Sequence, residues 1–347
     1  MRRTAAIWQV AFTYIGTVVG AGFATGQEIL QFFTKYGGVA LFTILVSTAL
    51  FIWLGTKIML LASEIGATSY EDLNKILFGK TFGEWFSLLL LLELFSVSVV
   101  MLAGAGSVFE EHLGQPFLLG VGVTLLLGYF VITRGMKGII AVNSIVVPLM
   151  LLFTGIVFWH TLNLPEFAAG EWAVRESPYP AWRAWLAPLL YSAFNLTAAQ
   201  AVLVPLGATV KDRKAIRMGG LLGGIGLGAL LIAGHISLSM HTPAIFTYEI
   251  PMGMVVAGLG AFVHLVYLLL IYAEIFTTFI ADVFGLTLQM EQRTHLKRNV
   301  LIGATLLLCF GVSLFGFKAL LSTLYPLFGC LSLTWFGMLI VKGRHAA

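Results

Sequence analysis

The sequence predicts an all-α integral membrane protein of ten membrane-spanning helices, arranged as two halves of five. Three observations predict it. Only 10% of the 347 residues are charged and 59% are apolar, whereas a soluble domain carries roughly 25% charged residues. Stretches such as 39–59 and 219–232 run with no charge, or with one at the edge. About 20 apolar residues in a helix cross the ~30 Å hydrocarbon layer, and an open sheet cannot, because its edge groups would find no partners in lipid. Finally, the basic residues sort by side. With ten spans, 16 of the 20 Lys and Arg fall on one face of the membrane and 4 on the other.

The spans follow in order. Met1-Arg2-Arg3 precedes an apolar run that imitates a signal peptide, but no small-residue cleavage pattern follows, so 7–34 is predicted as a retained first span. The second, 39–62, opens at Gly37-Gly38. An amphipathic surface helix covers 69–78. The third, fourth and fifth spans are 82–110, 116–132 and 138–162. Prolines and charges make 163–181 a loop. The sixth and seventh spans are 182–210 and 215–240. Pro243, Glu249 and Pro251 mark 242–252 as another loop. The eighth, ninth and tenth are 253–284, 299–315 and 319–342.

The crowded face carries Arg2, Arg3, Lys57, Lys75, Lys80, Arg134, Lys137, the cluster Lys211 to Arg217, Arg293, Lys297, Arg298, Lys342 and Arg344. The other carries Lys35, Arg175, Arg183 and Lys318. Basic residues are retained on the cytoplasmic side, so both termini are expected there, in a multi-pass inner membrane protein. The net charge of +4 is accounted for by that face and implies no nucleic-acid partner.

Five is odd, so the second half must be inverted relative to the first. The expected organisation is a first repeat over 1–165, an extracellular loop over 166–181 and a second repeat over 182–347, all within one membrane domain. A short echo accompanies it: Ala24-Thr-Gly-Gln27-Glu-Ile-Leu30 against Thr197-Ala-Ala-Gln200-Ala-Val-Leu203.

The strongest local feature is Gly16-Thr-Val-Val-Gly20-Ala-Gly22-Phe-Ala-Thr25-Gly26. Four glycines within eleven residues of one span each cost roughly 1 kcal/mol of helix propensity relative to alanine. One reading is a break whose freed N–H and C=O groups meet a substrate and a cation. The other is close helix packing through small residues. Thr25, Gln27 and Glu28 follow directly and favour the break. Gly219, Gly220, Gly223, Gly224 and Gly228 have no polar company and read as a packing face. The sixth span holds Phe194, Asn195, Thr197, Gln200 and Pro205 at the symmetric position. It is expected to be a second discontinuous helix, with a proline-kinked helix as the other reading.

Glu93 and Glu274 lie within spans, where carboxylates face a cavity or a partner. Glu274 precedes Thr277-Thr278, and oxygen ligands suit a hard cation. A buried glutamate equally suits proton transfer, and a structural hydrogen bond is the plain alternative. His160, His235 and His264 read as satisfied core or interfacial residues. Cys309 and Cys330 read as reduced packing residues without metal-ligand spacing. No enzyme signature is present: there is no phosphate-binding loop with lysine and serine, no His-Glu-x-x-His and no Gly-x-Ser-x-Gly.

The ten spans, the five-plus-five inversion and the glycine-rich breach resemble the LeuT-fold amino acid–polyamine–organocation superfamily. Val19-Gly-Ala-Gly-Phe-Ala-Thr-Gly-Gln-Glu-Ile29 resembles YkvI-like bacterial amino-acid permeases. The resemblance implies a cation-coupled secondary transporter of an amino acid or small amine, embedded in the lipid bilayer. By similarity, Val19, Gly20, Ala21, Gly22 and Thr25 would offer backbone to the substrate, and Phe194, Asn195 and Thr197 would face them, with Phe194 as a lid. Gly16, Val19, Thr277 and Thr278 match a sodium site; beyond Na+, no cofactor is implied. Some proton-coupled relatives carry a lysine inside the fifth span. Here Asn143 lies within it and Lys137 only at its entrance, which favours Na+ over H+, while Glu93 and Glu274 keep proton coupling open. A ligand-binding sensor of the same fold, without transport, is the rival reading.

Overall fold

Chain breakers set the helix ends. In the computed structural model, which describes residues 3–67, 69–134, 136–170, 177–210, 212–294 and 296–342, all regular structure is helical and no strand occurs among the described residues. Side chains are described outside 134, 136–147, 292, 293 and 342. The helices are α1 (Arg3–Val18), α2 (Ala21–Ala24), α3 (Gln27–Phe32), α4 (Ala40–Leu50), α5 (Thr56–Ile65), α6 (Tyr70–Phe78), α7 (Lys80–Leu113), α8 (Phe117–Arg134) and α9 (Met136–Leu162). They continue with α10 (Pro165–Ala168), α11 (Ala181–Val210), α12 (Arg213–Ser239), α13 (Pro251–Ala257), α14 (Ala261–Thr294), α15 (Arg298–Ser313) and α16 (Phe317–Lys342).

Among the described residues, six helical stretches are long and apolar enough to cross a membrane: Thr34–Ile65, Lys80–Leu113, Ala181–Val210, Arg213–Ser239, Ala261–Glu291 and Phe317–Val341. Shorter apolar helices cover Phe117–Thr133, Pro148–Leu162 and Arg298–Ser313. Their outer faces carry large exposed apolar side chains such as Phe42, Trp85, Phe262 and Leu307, a surface that water would not tolerate and lipid does. The surface helix α6 starts at a capping box: Asp72 N–H donates to Ser69 Oγ at 3.2 Å and Ser69 N–H to Asp72 Oδ2 at 3.1 Å.

The helices pack in two groups. One joins α1, α4, α5, α11 and α12, with α1 lying on α12 and α11 on α5; the other joins α7, α8, α14 and α15, built around α7 against α14. The α9 helix touches both α12 and α14, and α16 touches both α11 and α7. The glycine face of α12 makes the first group tight. A Cβ on Gly219 would strike Val10, one on Gly223 would strike Tyr14, and ones on Gly220, Gly224 and Gly228 would strike Thr56, Ile52 and Thr48. The packing reading of that stripe is therefore the right one, and its physical reason is backbone-close contact with α1, α4 and α5.

Three expectations are corrected. The sixth span is not discontinuous: α11 runs unbroken from Ala181 to Val210 through Pro188 and Pro205. Asn195 Nδ2 donates to Tyr191 O one turn back at 3.0 Å within the continuous helix, whereas Thr197 Oγ1 and both side-chain polar atoms of Gln200 have no partner among the described residues. The eighth span does not begin at Gly253; the short α13 stops, the chain turns through Gly260 at φ +99°, and α14 starts afresh at Ala261. Within the 163–181 loop, Pro165–Ala168 forms one helical turn. The comparison of Lys137 with Asn143 lies outside the described side chains.

Candidate functional site

The first span is where the backbone departs from a helix. Val19 N–H donates to Ile15 O at 2.8 Å and closes α1. Gly20 is extended (φ −116°, ψ −170°) and α2 begins at Ala21. A helix that ends leaves its last carbonyls unbonded, and one that starts leaves its first N–H groups unbonded, so both kinds of group are presented here. Gly26, at φ +81°, turns the chain from α2 into α3. Met252 N–H donates to Thr25 O at 2.9 Å and Tyr267 Oη to Ala24 O at 3.4 Å, which ties the interrupted segment to α13 and α14.

This segment forms one wall of a cavity of about 310 Å³ between the two helix groups. Gly16, Val19, Gly20, Ala21 and Gly22 line it from the interrupted span, Phe194 and Asn195 from α11, Glu93 and Met101 from α7, and Glu274, Thr277 and Thr278 from α14. Two expected residues are elsewhere. Thr25 is fully buried, donating from Oγ1 to Gly22 O at 3.0 Å and accepting Gln27 N–H at 3.4 Å, so it shapes the turn. Thr197 is fully buried and does not line the cavity.

Three ionisable lining residues were not expected: Glu28, Asp282 and Tyr325. Glu28 opens α3 and is buried, and the Tyr191 hydroxyl donates to its carboxylate. Asp282 lies two turns beyond Glu274. A search along that face of α14 at helical spacing, Glu274 to Thr277 and Thr278 to Asp282, would have found it. Tyr325 stacks on Phe194 at a centroid distance of 4.3 Å and 32° between planes. Nothing in its own segment marks it.

The cavity is acidic. Glu93 is fully buried, and neither of its oxygens has a partner among the described residues; Glu28 Oε2 and Glu274 Oε2 also lack one. Glu93 and Asp282 are within electrostatic reach of each other. No Lys, Arg or His is among the described lining residues. Thr277 Oγ1 donates to Glu274 O at 3.1 Å, which leaves its lone pairs as acceptors. Among the described residues, no three His, Cys, Asp or Glu side chains are gathered as a metal site. His235 is a satisfied core residue: its Nδ1 lies 3.1 Å from Thr34 Oγ1 and 3.3 Å from Ser239 Oγ. His264 Nε2 has no partner among the described residues, and its ring packs edge-on to His112 at 5.5 Å. Cys309 is buried, Cys330 is exposed, and both are free thiols.

An interrupted first helix facing a cavity between two helix groups is the arrangement of the LeuT-type fold. Solved structures agree. The chain resembles Mhp1, a nucleobase-cation-symport-1 family transporter with bromovinylhydantoin bound, at TM-score 0.62 and 11% identity over 93% of this chain and 74% of that one. It resembles MhsT in complex with L-phenylalanine at TM-score 0.62 and 18% identity, covering 90% and 79%. A manganese transporter of Eremococcus coleocola gives TM-score 0.65 and 15% identity over 97% and 78%. No protein-family model matches the chain. The membrane protein YkvI of Bacillus subtilis (strain 168) is 43% identical over 335 residues, 96% of this chain and 95% of YkvI, and the protein YyaD of the same organism is 26% identical over 92% and 91%. This chain belongs to the YkvI family.

Proposed function

We propose that this protein is a secondary active transporter that carries an amino acid or small amine across the inner membrane by alternating access, driven by a cation gradient. The observation that carries this reading is the cavity at the interruption after Val18, walled by both helix groups and holding carboxylate oxygens without partners. Such a cavity is opened to either side by rocking one group against the other.

The ten-span, five-plus-five organisation belongs to the same proposal, with repeats over 1–165 and 182–347. Reciprocal packing supports it. Exchanging the halves converts α1 on α12 into α11 on α5, α7 on α8 into α14 on α15, and α15 on α7 into α8 on α14, and each of these contacts is present. The excess of basic residues on one face supports cytoplasmic termini.

For the coupling ion the proposal is Na+, held by the carbonyls of Gly16 and Val19 and the hydroxyls of Thr277 and Thr278, all at the cavity wall. The substrate would lie between Val19–Gly22 and Phe194–Asn195. Proton coupling is a second reading, favoured by Glu93, whose carboxylate is buried without a partner. The test is uptake of labelled solutes into proteoliposomes under an imposed Na+ gradient or an imposed pH gradient. Uptake driven by Na+ supports the first reading, uptake driven only by the pH gradient the second. Binding without uptake under either gradient overturns transport and leaves a sensor.

A further inference from the structure

The cavity's charge is one-sided in a way that neither the interrupted helix nor the sodium proposal explains. Glu28, Glu93, Glu274 and Asp282 come from three different helices, α3, α7 and α14, and all line the same space. Three of them are at most 5% exposed. Four carboxylate oxygens on these residues have no partner among the described residues, two of them on Glu93. No basic side chain is among the described residues that line the space. A buried carboxylate without a counter-charge is costly and marks a place where something else supplies one.

We propose that the cavity selects organic ammonium cations that carry no carboxylate of their own, with Glu93 and Asp282 as the anchor for the ammonium group. The inference rests on the cavity being the transport site and narrows its cargo. An α-amino acid would satisfy one acid with its ammonium while placing a further carboxylate among four. Among the described residues, the helix starts at hand are those of α2 and α3, four and six residues long, too short to offset that repulsion. A bare metal ion requires its oxygen ligands drawn to one point, and among the described residues no three acidic, histidine or cysteine side chains are so gathered. The carboxylates come instead from three separate helices, α3, α7 and α14. Phe194 and Tyr325 supply a stacked aromatic surface beside them, and Tyr325 lies within electrostatic reach of Glu28, Glu93 and Asp282. An aromatic face next to carboxylates suits an alkylammonium, whose charge is attracted by both and whose carbon chain is covered by the rings.

The test uses pairs that differ by one carboxylate: 3-methylbutylamine against leucine, 1,4-diaminobutane against ornithine, and 1,5-diaminopentane against lysine. Binding to the purified full-length protein is measured by calorimetry and thermal shift in Na+ buffer, with MnCl2 as a separate arm. In at least one pair the amine binds at least tenfold tighter than its amino acid. Glu93→Gln and Asp282→Asn each weaken that amine tenfold or more while leaving the melting midpoint without ligand in place. The proposal is overturned by amino acids binding as well as the amines, by no amine binding, or by Mn2+ binding in an amine-independent, Glu93-dependent way. If one variant does not fold, the other and the wild-type pairs decide. Proteoliposome uptake separates the two readings: leucine accumulating without its amine sinks this inference and keeps transport, whereas an amine that binds and never accumulates sinks transport and keeps the acidic selectivity.

Discussion

The Glu28 carboxylate occupies the space that a side chain on Gly22 would need. A Cβ built on Gly22 falls onto Oε1 and the terminal carbons of Glu28. The glycine after the interruption thus does more than relax the backbone: its missing side chain lets an acid from α3 reach the cavity wall. Gly22→Ala is expected to push Glu28 away and weaken ligand binding tenfold or more, the scale on which small misplacements of positioned groups act. Gly303→Ala is the control, because nothing lies within 4 Å of an added Cβ there and the residue does not line the cavity. Calorimetry on both variants checks this; equal affinities would show that Glu28 is not placed by Gly22.

Thr277 and Thr278 line the same cavity as Gly16 and Val19. Thr277→Ala combined with Thr278→Ala should abolish Na+ stimulation of uptake while the protein still elutes as a folded particle. Unchanged sodium dependence in the double variant removes the ion site from the account.

The glycine face of α12 makes a stability prediction. A methyl on Gly219 meets Val10 Cβ at 2.5 Å and the backbone of Ile7 at 2.8 Å. Overpacking of this kind costs about 1–3 kcal/mol, so Gly219→Ala should lower the unfolding midpoint in detergent. Gly303 in α15 has open space around it, and Gly303→Ala should hold or raise the midpoint, since alanine is the better helix former. A midpoint for Gly219→Ala at or above that of the wild type would show that α1 and α12 are looser than described.

His241 lies just beyond the end of α12, and burial, with a smaller contribution from His160, holds its pKa below the ordinary histidine value while Glu166 opposes the shift. A folded-state pKa that is depressed contributes stability above the unfolded value near 6.5, and that stability is lost as pH falls through the lower folded value. The melting midpoint should therefore drop between pH 7.5 and pH 5, and His241→Gln should flatten part of that drop. Superimposable pH profiles would show that His241 does not report its burial.

Much of the fold was legible in the sequence because lipid leaves few choices. Stretches such as 219–232 admit little but a helix, and the glycines around Gly20 marked the place where α1 stops. The site was only half legible. Glu93, Glu274, Thr277 and Thr278 stood out as polar groups in apolar spans. Asp282 followed from the same helical face and was passed over. Glu28 counts in the sequence as support for the break and not as a wall residue, because the clearance at Gly22 exists only in three dimensions. Tyr325 is a wall residue packed on Phe194, a contact between residues 131 positions apart that no local pattern encodes. The α11 interruption is expected from its symmetric position, its polar residues and Pro205, yet the helix runs unbroken through both prolines.

The central claim is that the acidic cavity moves its ligand across the membrane. The most direct measurement is accumulation of labelled 3-methylbutylamine or 1,4-diaminobutane in proteoliposomes under an inward Na+ gradient. The account predicts accumulation above the external concentration, collapse when the gradient is dissipated, and loss with Glu93→Gln. Equilibration without accumulation, or no entry of a ligand that calorimetry shows to bind, would contradict it.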